Sequence, residues 1–214
     1  MPVRKVPFVN NEYYHVFNRG VAKMPIFGNA HDYNRFLKTV LYYQVEGPKP
    51  KFSAFSLMNR NLDLSKKIVN INSYCFMPNH FHFLLQQVKE NGISEFISKL
   101  SNSYTKYFNT KNKRVGPLFQ GQFKAVHVQT DEQLIHLSRY IHLNPVVGYV
   151  TKDLGAYPWS SYAEYVESAV PGICSKEAVA AHFKTPHDYR KFVLDQRDYG
   201  EKLAQIKHQL LDAS

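Results

Sequence analysis

Two histidines separated by one residue are the feature of this sequence best suited to chemistry. His80 and His82 flank Phe81 in an apolar run that predicts a β-strand. Alternate residues of a strand point to one face, so a single metal ion could bridge both imidazoles. No cysteine stands at a zinc-ligand spacing, which favours an open divalent-metal site over a closed structural zinc. The alternative is an edge-strand pair that only hydrogen-bonds to its neighbours.

A tyrosine and an asparagine four residues apart form the second feature. Tyr140 and Asn144 would leave one face of a predicted helix about one turn apart. The phenol could attack phosphorus, and the amide oxygen could join the histidines around Mg²⁺ or Mn²⁺. Spacing alone does not select Tyr140 over Tyr104 or Tyr107, and Asn144 could instead only end the helix before Pro145.

The charge distribution predicts a polyanionic partner. The formal net charge is +10, and no acidic residue occurs from Phe96 through Thr130. Unpaired bases stack on aromatic rings while cations neutralise the backbone, so this mixture favours single-stranded nucleic acid, although most of its rings are expected in the core. The cations are Lys99, Lys106, Lys111, Lys113, Arg114 and Lys124, and the rings are Tyr104, Tyr107, Phe108, Phe119 and Phe123.

Several classes of protein are disfavoured by composition. The sequence has only two cysteines, Cys75 and Cys174, which lie far apart without a metal-type spacing, so it supports neither a disulfide framework nor a zinc site. The first residues lack an apolar run of signal-peptide length, and no stretch is apolar for long enough to span a membrane. We therefore expect a cytoplasmic protein with no membrane partner.

The order of predicted elements indicates an α+β fold. Alternation and helical spacing, with Gly and Pro between the runs, predict the order β-α-β-β-β-α-β-α. This order favours an antiparallel or mixed sheet with helices on one side. The strands are Tyr13–Asn18, Phe52–Met58, Ile68–Phe76, Phe81–Gln87 and Ala125–Gln129, and the helices are Asp32–Gln44, Ile93–Asn109 and Asp131 to Pro145.

The C-terminal part is predicted to be a helical extension. We divide the chain into a core domain over 1–150 and an extension over 151–214 that packs on it. Tyr157–Tyr162 is expected to be irregular and to contact the core. Ser175 would cap a helix over Lys176–Phe183, and Thr185 with Pro186 would open a longer helix towards Leu211.

Several separated motifs together resemble one known family. Two carry the residues discussed above: MPNHFHFLL from Met77 and RYIHLNPV from Arg139. Others are YHVFNRG from Tyr14, RVGPLFQG from Arg114 and WSSY from Trp159. Their types and order are similar to those of the REP-associated tyrosine transposases, relatives of the single-tyrosine HUH transposases of small insertion sequences.

The resemblance implies a ferredoxin-like HUH fold and a reaction. His80, His82 and Asn144 would bind Mg²⁺ or Mn²⁺, and Tyr140 would attack a DNA phosphodiester to form a 5′-phosphotyrosine link. The substrate would be single-stranded DNA beside a hairpin, handled by a monomer or a homodimer. Arg19 and Phe119, which lie in the shared motifs, join the basic stretch as candidate DNA contacts.

Two alternatives and two departures accompany this resemblance. A DNA-hairpin-binding regulator on the same fold, without catalysis, needs only the charge and the rings. A histidine-triad hydrolase is disfavoured because Leu84 stands where a further histidine is required. His142 stands where relatives commonly carry an acidic residue, and Gln122 stands where an arginine is common. These departures would affect metal affinity and DNA binding.

Overall fold

The computed structural model describes residues 7–47, 52, 62–167 and 172–196. The strands are β1 (Tyr13–Arg19), β2 (Val69–Met77), β3 (His80–Gln87) and β4 (Lys124–Val128). The helices are α1 (Ala30–Tyr43), α2 (Gly92–Lys111), α3 (Asp131–Val147), α4 (Tyr162–Val166), α5 (Glu177–Ala180) and α6 (Pro186–Leu194). None of these helices is both long and apolar enough to cross a lipid bilayer.

The four strands form one antiparallel sheet in the order β2-β3-β1-β4. The hairpin of β2 and β3 inserts β3 beside β1, so the chain follows the split β-α-β arrangement of ferredoxin-like folds. The predicted α+β class is therefore confirmed. Because β3 and β1 lie at the centre of the sheet, side chains that leave their shared face meet in the middle of the molecule.

Hydrophobic layers cover both faces of the sheet. Helices α1 and α2 pack on one face, where Phe36 meets Tyr104 edge to face and both belong to one core with the sheet phenylalanines. Helix α3 and the C-terminal helices cover the other face, around Ile141 and Leu84. The expectation of helices on one side thus holds only for α1 and α2. All but one residue of β2 are buried, as expected for a strand that is covered on both faces.

Helix α3, which carries Tyr140, begins where the sequence predicted and ends later. The Thr130 side chain accepts a hydrogen bond from the Gln133 N–H and caps the helix. We expected Pro145 to end the helix, but α3 continues to Val147. Pro145 lies in the last turn, and the helix closes beyond it because the Gly148 N–H donates to the Asn144 carbonyl.

Described residues after position 150 contact the core along β2. The Phe76 N–H donates to the Trp159 carbonyl and the Ser161 N–H to the Tyr74 carbonyl, so this segment covers the free edge of β2. Thr185 caps α6 as expected, whereas Ser175 does not cap α5, whose N-cap residue is Lys176; the Ser175 N–H donates to the Ile71 carbonyl of β2. The division into 1–150 and 151–214 stays a prediction.

Two predicted elements fall largely outside the described residues. The expected strand Phe52–Met58 lies there except for Phe52, whose backbone is helical. The expected continuation of the last helix from Leu194 towards Leu211 also lies outside, apart from Asp195 and its neighbour.

Candidate functional site

His80 and His82 leave β3 on the same face and line an open cleft beside α3. Their ring centroids are 5.0 Å apart, close enough for both imidazoles to reach one ion. His82 is buried, whereas His80 is half-buried at the mouth of the cleft. The shared face follows directly from strand alternation.

Tyr140 is the tyrosine that the fold brings to these histidines. Its ring lies edge-on to His82 with centroids 5.6 Å apart, and the side chain stays 51% exposed. Tyr104 is buried on the opposite face of the sheet, where its hydroxyl donates to the Ile26 carbonyl. Tyr107 donates to Asp32 on that same side. Of the three tyrosines that the sequence left open, only Tyr140 shares the cleft.

Asn144 lies between the tyrosine and the first histidine. Its Nδ2 donates to the Tyr140 carbonyl at 2.8 Å, one helical turn back. Burial lowers the pKa of His80, and a hydrogen bond with the Asn144 side chain offsets part of that shift. Burial raises the pKa of the Tyr140 phenol, again with an opposing contribution from Asn144. The Asn144 amide therefore contacts both His80 and Tyr140. It also bonds within its own helix, which is the local role that the sequence left open for this residue.

The neighbours of His80 determine which ring nitrogen carries the proton. Asn79 Nδ2 donates to the Lys23 carbonyl, so its Oδ1 faces His80 Nδ1 at 2.6 Å. An amide oxygen only accepts, so His80 Nδ1 carries the hydrogen and Nε2 keeps its lone pair. A metal-binding histidine ordinarily shows this pattern: one ring nitrogen binds the metal, and the N–H of the other donates to a second residue.

His15 is a residue that the sequence reasoning missed. It lies on β1, diagonally across from His82, with its Nε2 2.9 Å from His82 Nδ1 and the two rings stacked. Burial lowers the pKa of His15 to about 4 and that of His82 well below its ordinary value, so both rings are neutral near pH 7. When His82 Nδ1 donates to His15, His82 Nε2 is left with a free lone pair. One sequence signal could have identified His15: it alternates with Tyr13 and Phe17 along the predicted strand, so the three side chains share one face.

The loop after β1 supports the cleft in a constrained conformation. Ala22 and Lys23 have φ angles of 52° and 59°, in the left-handed region that costs energy for residues other than glycine. A Cβ on Gly20 would lie 2.2 Å from the Met24 carbonyl oxygen, so only glycine fits there. The Gly20 N–H donates to the Asn79 carbonyl, and this bond ties the loop to the turn before His80.

Three cations surround the histidines and the tyrosine. The cleft has a volume of about 460 Å³, and Arg19, Lys23 and Lys124 line it without any acidic residue among its described lining. The Arg19 Nε donates to the Gln120 side chain, which holds the guanidinium at the rim. Arg19 and Lys124 were candidates from the sequence, whereas Lys23 was not. The cleft therefore combines a phenol, two neutral imidazoles and positive charge.

The other candidate DNA contacts lie elsewhere. Lys99, Lys106 and Lys111 line a groove between α1 and α2, on the opposite side of the sheet. Arg114 donates to Asn109 and to the Pro117 carbonyl and so holds its own loop. Lys113 adopts a left-handed conformation at the end of α2, and Phe119 packs against Phe81 with only 7% of its surface exposed.

His142, one of the departures from the resemblance, faces away from the cleft. Its Nδ1 lies 2.6 Å from the Tyr189 hydroxyl and its Nε2 lies 2.7 Å from the Ser161 Oγ. Tyr189 in turn donates to Ser138. Burial lowers the pKa of His142 to about 3, so the ring stays neutral. The residue joins α3 to the C-terminal helices and does not contribute to the cleft.

Replacing His142 with Ala should destabilise the protein by about 3 kcal/mol, because two buried hydroxyls lose a partner and a cavity opens. Urea unfolding followed by circular dichroism measures this change. The exposed His187 on α6 supplies the matched control, and its Ala variant should unfold like the unaltered chain. Equal midpoints for the two variants would contradict the role of His142.

The donor set fits a divalent metal only if the amide takes part. Counting His, Cys, Asp and Glu alone, the described part of the chain contains no group of three that could hold a metal ion. Two imidazole nitrogens with one amide oxygen would leave coordination positions for substrate oxygens. The Nε2 lone pairs of His80 and His82 and the Asn144 oxygen are suited to this set.

Comparison with known proteins agrees with the motifs. The family described as "Transposase IS200 like" matches residues 60–144, so the resemblance to transposases is confirmed over that range. A solved REP-associated tyrosine transposase bound to a REP hairpin shares the fold, with a TM-score of 0.58 and 13% identity over 80% of this chain and 89% of its own. No curated protein matches.

A second solved structure is less similar. It is a putative transposase from Deinococcus radiodurans, with a TM-score of 0.36 and 13% identity over 65% of this chain and 95% of its own. At that score it adds nothing to the fold assignment.

Proposed function

We propose that this chain, whose residues 60–144 match the IS200-like transposases, is a metal-dependent tyrosine transposase. It would cleave and rejoin single-stranded DNA at hairpin-associated sites. The observation that carries the proposal is the Tyr140 ring 5.6 Å from His82, in a cleft that also holds three cations. A phenol beside two neutral imidazoles and positive charge is suited to attack on a phosphodiester.

Binding of the DNA strand would place one phosphate among the cleft cations. Arg19 presents a planar fork of donors, and Lys23 and Lys124 add point charges to the same cleft. Single-stranded DNA fits an open cleft because its backbone can bend into it without unpairing. That the relative with the same fold was solved with a REP hairpin supports a hairpin beside the cleaved strand.

The covalent step would exchange one phosphoester for another. The Tyr140 oxygen forms a bond to phosphorus and loses its proton, while the bond from phosphorus to the 3′ oxygen breaks and that oxygen takes up a proton. The products are a 5′-phosphotyrosine and a free 3′-OH, and the reverse reaction rejoins strands without a nucleotide cofactor. Mg²⁺ or Mn²⁺ held by His80, His82 and Asn144 would supply the charge that polarises the phosphate.

His15 is proposed to position His82 for metal binding. Replacing His15 with Phe removes the acceptor that keeps the His82 Nδ1 hydrogen in place. Loss of such an outer partner typically weakens metal affinity by roughly 10- to 100-fold. Titration with Mn²⁺ followed by electron paramagnetic resonance measures this directly. His127→Phe on β4, whose ring contacts Glu12 instead, is the control; equal affinities in the two variants would argue against the role of His15.

The proposal is tested by incubating the purified full chain with labelled single-stranded DNA that carries a hairpin. We expect a protein–DNA adduct that survives denaturing electrophoresis when Mg²⁺ or Mn²⁺ is present. EDTA should abolish the adduct and added metal should restore it. DNA binding without any adduct in either metal would reject the enzyme and favour the alternative, a DNA-hairpin-binding regulator.

A further inference from the structure

A second basic groove lies on the side of the molecule opposite the cleft. It runs between α1 and α2, on the side of these helices away from the sheet, and has a volume of about 670 Å³. Arg35 and Tyr43 come from α1, and Lys106 and Tyr107 come from α2. No acidic side chain is among the described residues that line it. The groove is thus positively charged and partly aromatic.

Arg35 is the least satisfied charged group in this groove. Its Nε is buried and has no hydrogen-bond partner. Its guanidinium lies over the Phe52 ring at 4.0 Å and near the Tyr107 ring at 5.3 Å, and burial lowers the pKa of the side chain. A cation with a buried, unpaired donor is poorly neutralised, and an anion in the groove would offset its charge.

The neighbouring lysines differ in how far they are already neutralised. Lys99 bonds to Glu95, and Lys111 bonds to the buried Asp32. Lys106 forms no ion pair with any carboxylate in the described residues, and neither does Arg35. Two cations on facing helices therefore remain available to one ligand.

We propose that this groove binds phosphates of the DNA backbone at a second site, on the face opposite the catalytic cleft. Arg35 would offer its fork of donors to one phosphate, and Lys106 would neutralise it or the next one. DNA suits the groove better than a small anion because the cleft on the other face is also basic, and a long polyanion can reach both. The inference rests on the proposed function for its choice of DNA.

The groove is tested by DNA binding measured in EDTA, where strand cleavage cannot interfere. The probe is a fluorescently labelled DNA stem-loop with a single-stranded flank, and fluorescence anisotropy gives its affinity for the full chain over a range of salt concentrations. Lys106→Ala should weaken binding roughly five- to tenfold and lower the slope of log affinity against log salt by about one, as expected for one lost phosphate contact. Arg35→Gln should do the same.

Lys38→Ala is the matched control, because Lys38 is an exposed lysine on α1 that does not line the groove. It should bind DNA like the unaltered chain. Thermal unfolding of each variant separates lost contacts from lost folding, and the surface position of Lys106 keeps that variant informative if Arg35→Gln unfolds.

An unchanged salt slope in Lys106→Ala and in folded Arg35→Gln would overturn the second site. The same loss of DNA affinity in Lys38→Ala would also overturn it. Labelled polyglutamate serves as a second probe: if Lys106→Ala and Arg35→Gln weaken binding of polyglutamate but not of DNA, the ligand of the groove is an acidic protein and the proposal is wrong. A chain that binds DNA in this way but forms no adduct would contradict the proposed catalysis and leave the groove standing. The two failures are therefore distinguishable.

Discussion

Replacing Tyr140 with Phe should remove the covalent protein–DNA adduct completely and leave DNA binding nearly unchanged. The variant loses one oxygen atom, and that oxygen is the proposed attacking group. The ring should stay in place, since its edge-to-face contacts with His15 and His82 are contacts between rings, and phenylalanine keeps the ring. Denaturing electrophoresis with labelled DNA measures the adduct, and anisotropy in EDTA measures the binding.

The other tyrosines supply the controls for this variant. Tyr149→Phe removes a hydroxyl from a tyrosine of similar exposure that lies shortly after α3, and it should keep full adduct yield. Tyr107→Phe tests one of the positions that sequence spacing left open. Adducts that persist in Tyr140→Phe would reject Tyr140 as the nucleophile, and their loss in Tyr107→Phe alone would move the assignment to the other face.

Replacing His82 with Ala should reduce adduct formation by about a thousandfold, because several kcal/mol of charge stabilisation by a bound metal would be lost. His80→Ala should have a similar effect and is less exposed to folding artefacts, since His80 is only half-buried. Both variants should also lose tight Mn²⁺ binding in electron paramagnetic resonance titrations. This second measurement does not depend on activity.

His31→Ala is the control for the histidine variants, because His31 is an exposed histidine at the start of α1. It should retain both Mn²⁺ binding and adduct formation. If His80→Ala and His82→Ala remain folded and bind Mn²⁺ like the unaltered chain, the proposed metal site is wrong. If these variants keep Mn²⁺ binding but lose adduct formation, the histidines take part in the reaction without binding the metal.

Local sequence patterns were sufficient for most elements of the core. Strand alternation predicted β1, β2, β3 and β4, and helical spacing predicted α1, α2 and α3, within a few residues at each end. The capping residue Thr130 marked the start of α3, because its side chain satisfies a free N–H of the first turn. These features depend on neighbours in sequence, which is why they could be predicted.

The pairing of His80 with His82 belongs to the same class of prediction. Its geometry follows from one strand alone, so no knowledge of the rest of the fold was needed. The pairing of Tyr140 with Asn144 likewise follows from one helix. Which of the tyrosines meets the histidines did not follow, because that depends on the face of the sheet on which each helix packs.

Only the tertiary structure separated the basic stretch into two surfaces. Between Phe96 and Thr130 the chain passes from α2, on one face of the sheet, to β4 beside β1. Lys106 therefore faces a groove far from the cleft, while Lys124 lines the cleft itself. A run of charge in sequence specifies the sign of a partner but not the surface that binds it.

The sequence by itself determined the elements, the histidine pair on one strand and the positive charge, because each of these is set by residues close together along the chain. The tertiary structure decided that Tyr140 joins the histidines, that His15 contacts His82 across 67 positions, and that His142 turns towards the C-terminal helices. Those contacts depend on which hydrophobic face each helix buries against the sheet, and burial of that kind is a property of the whole fold.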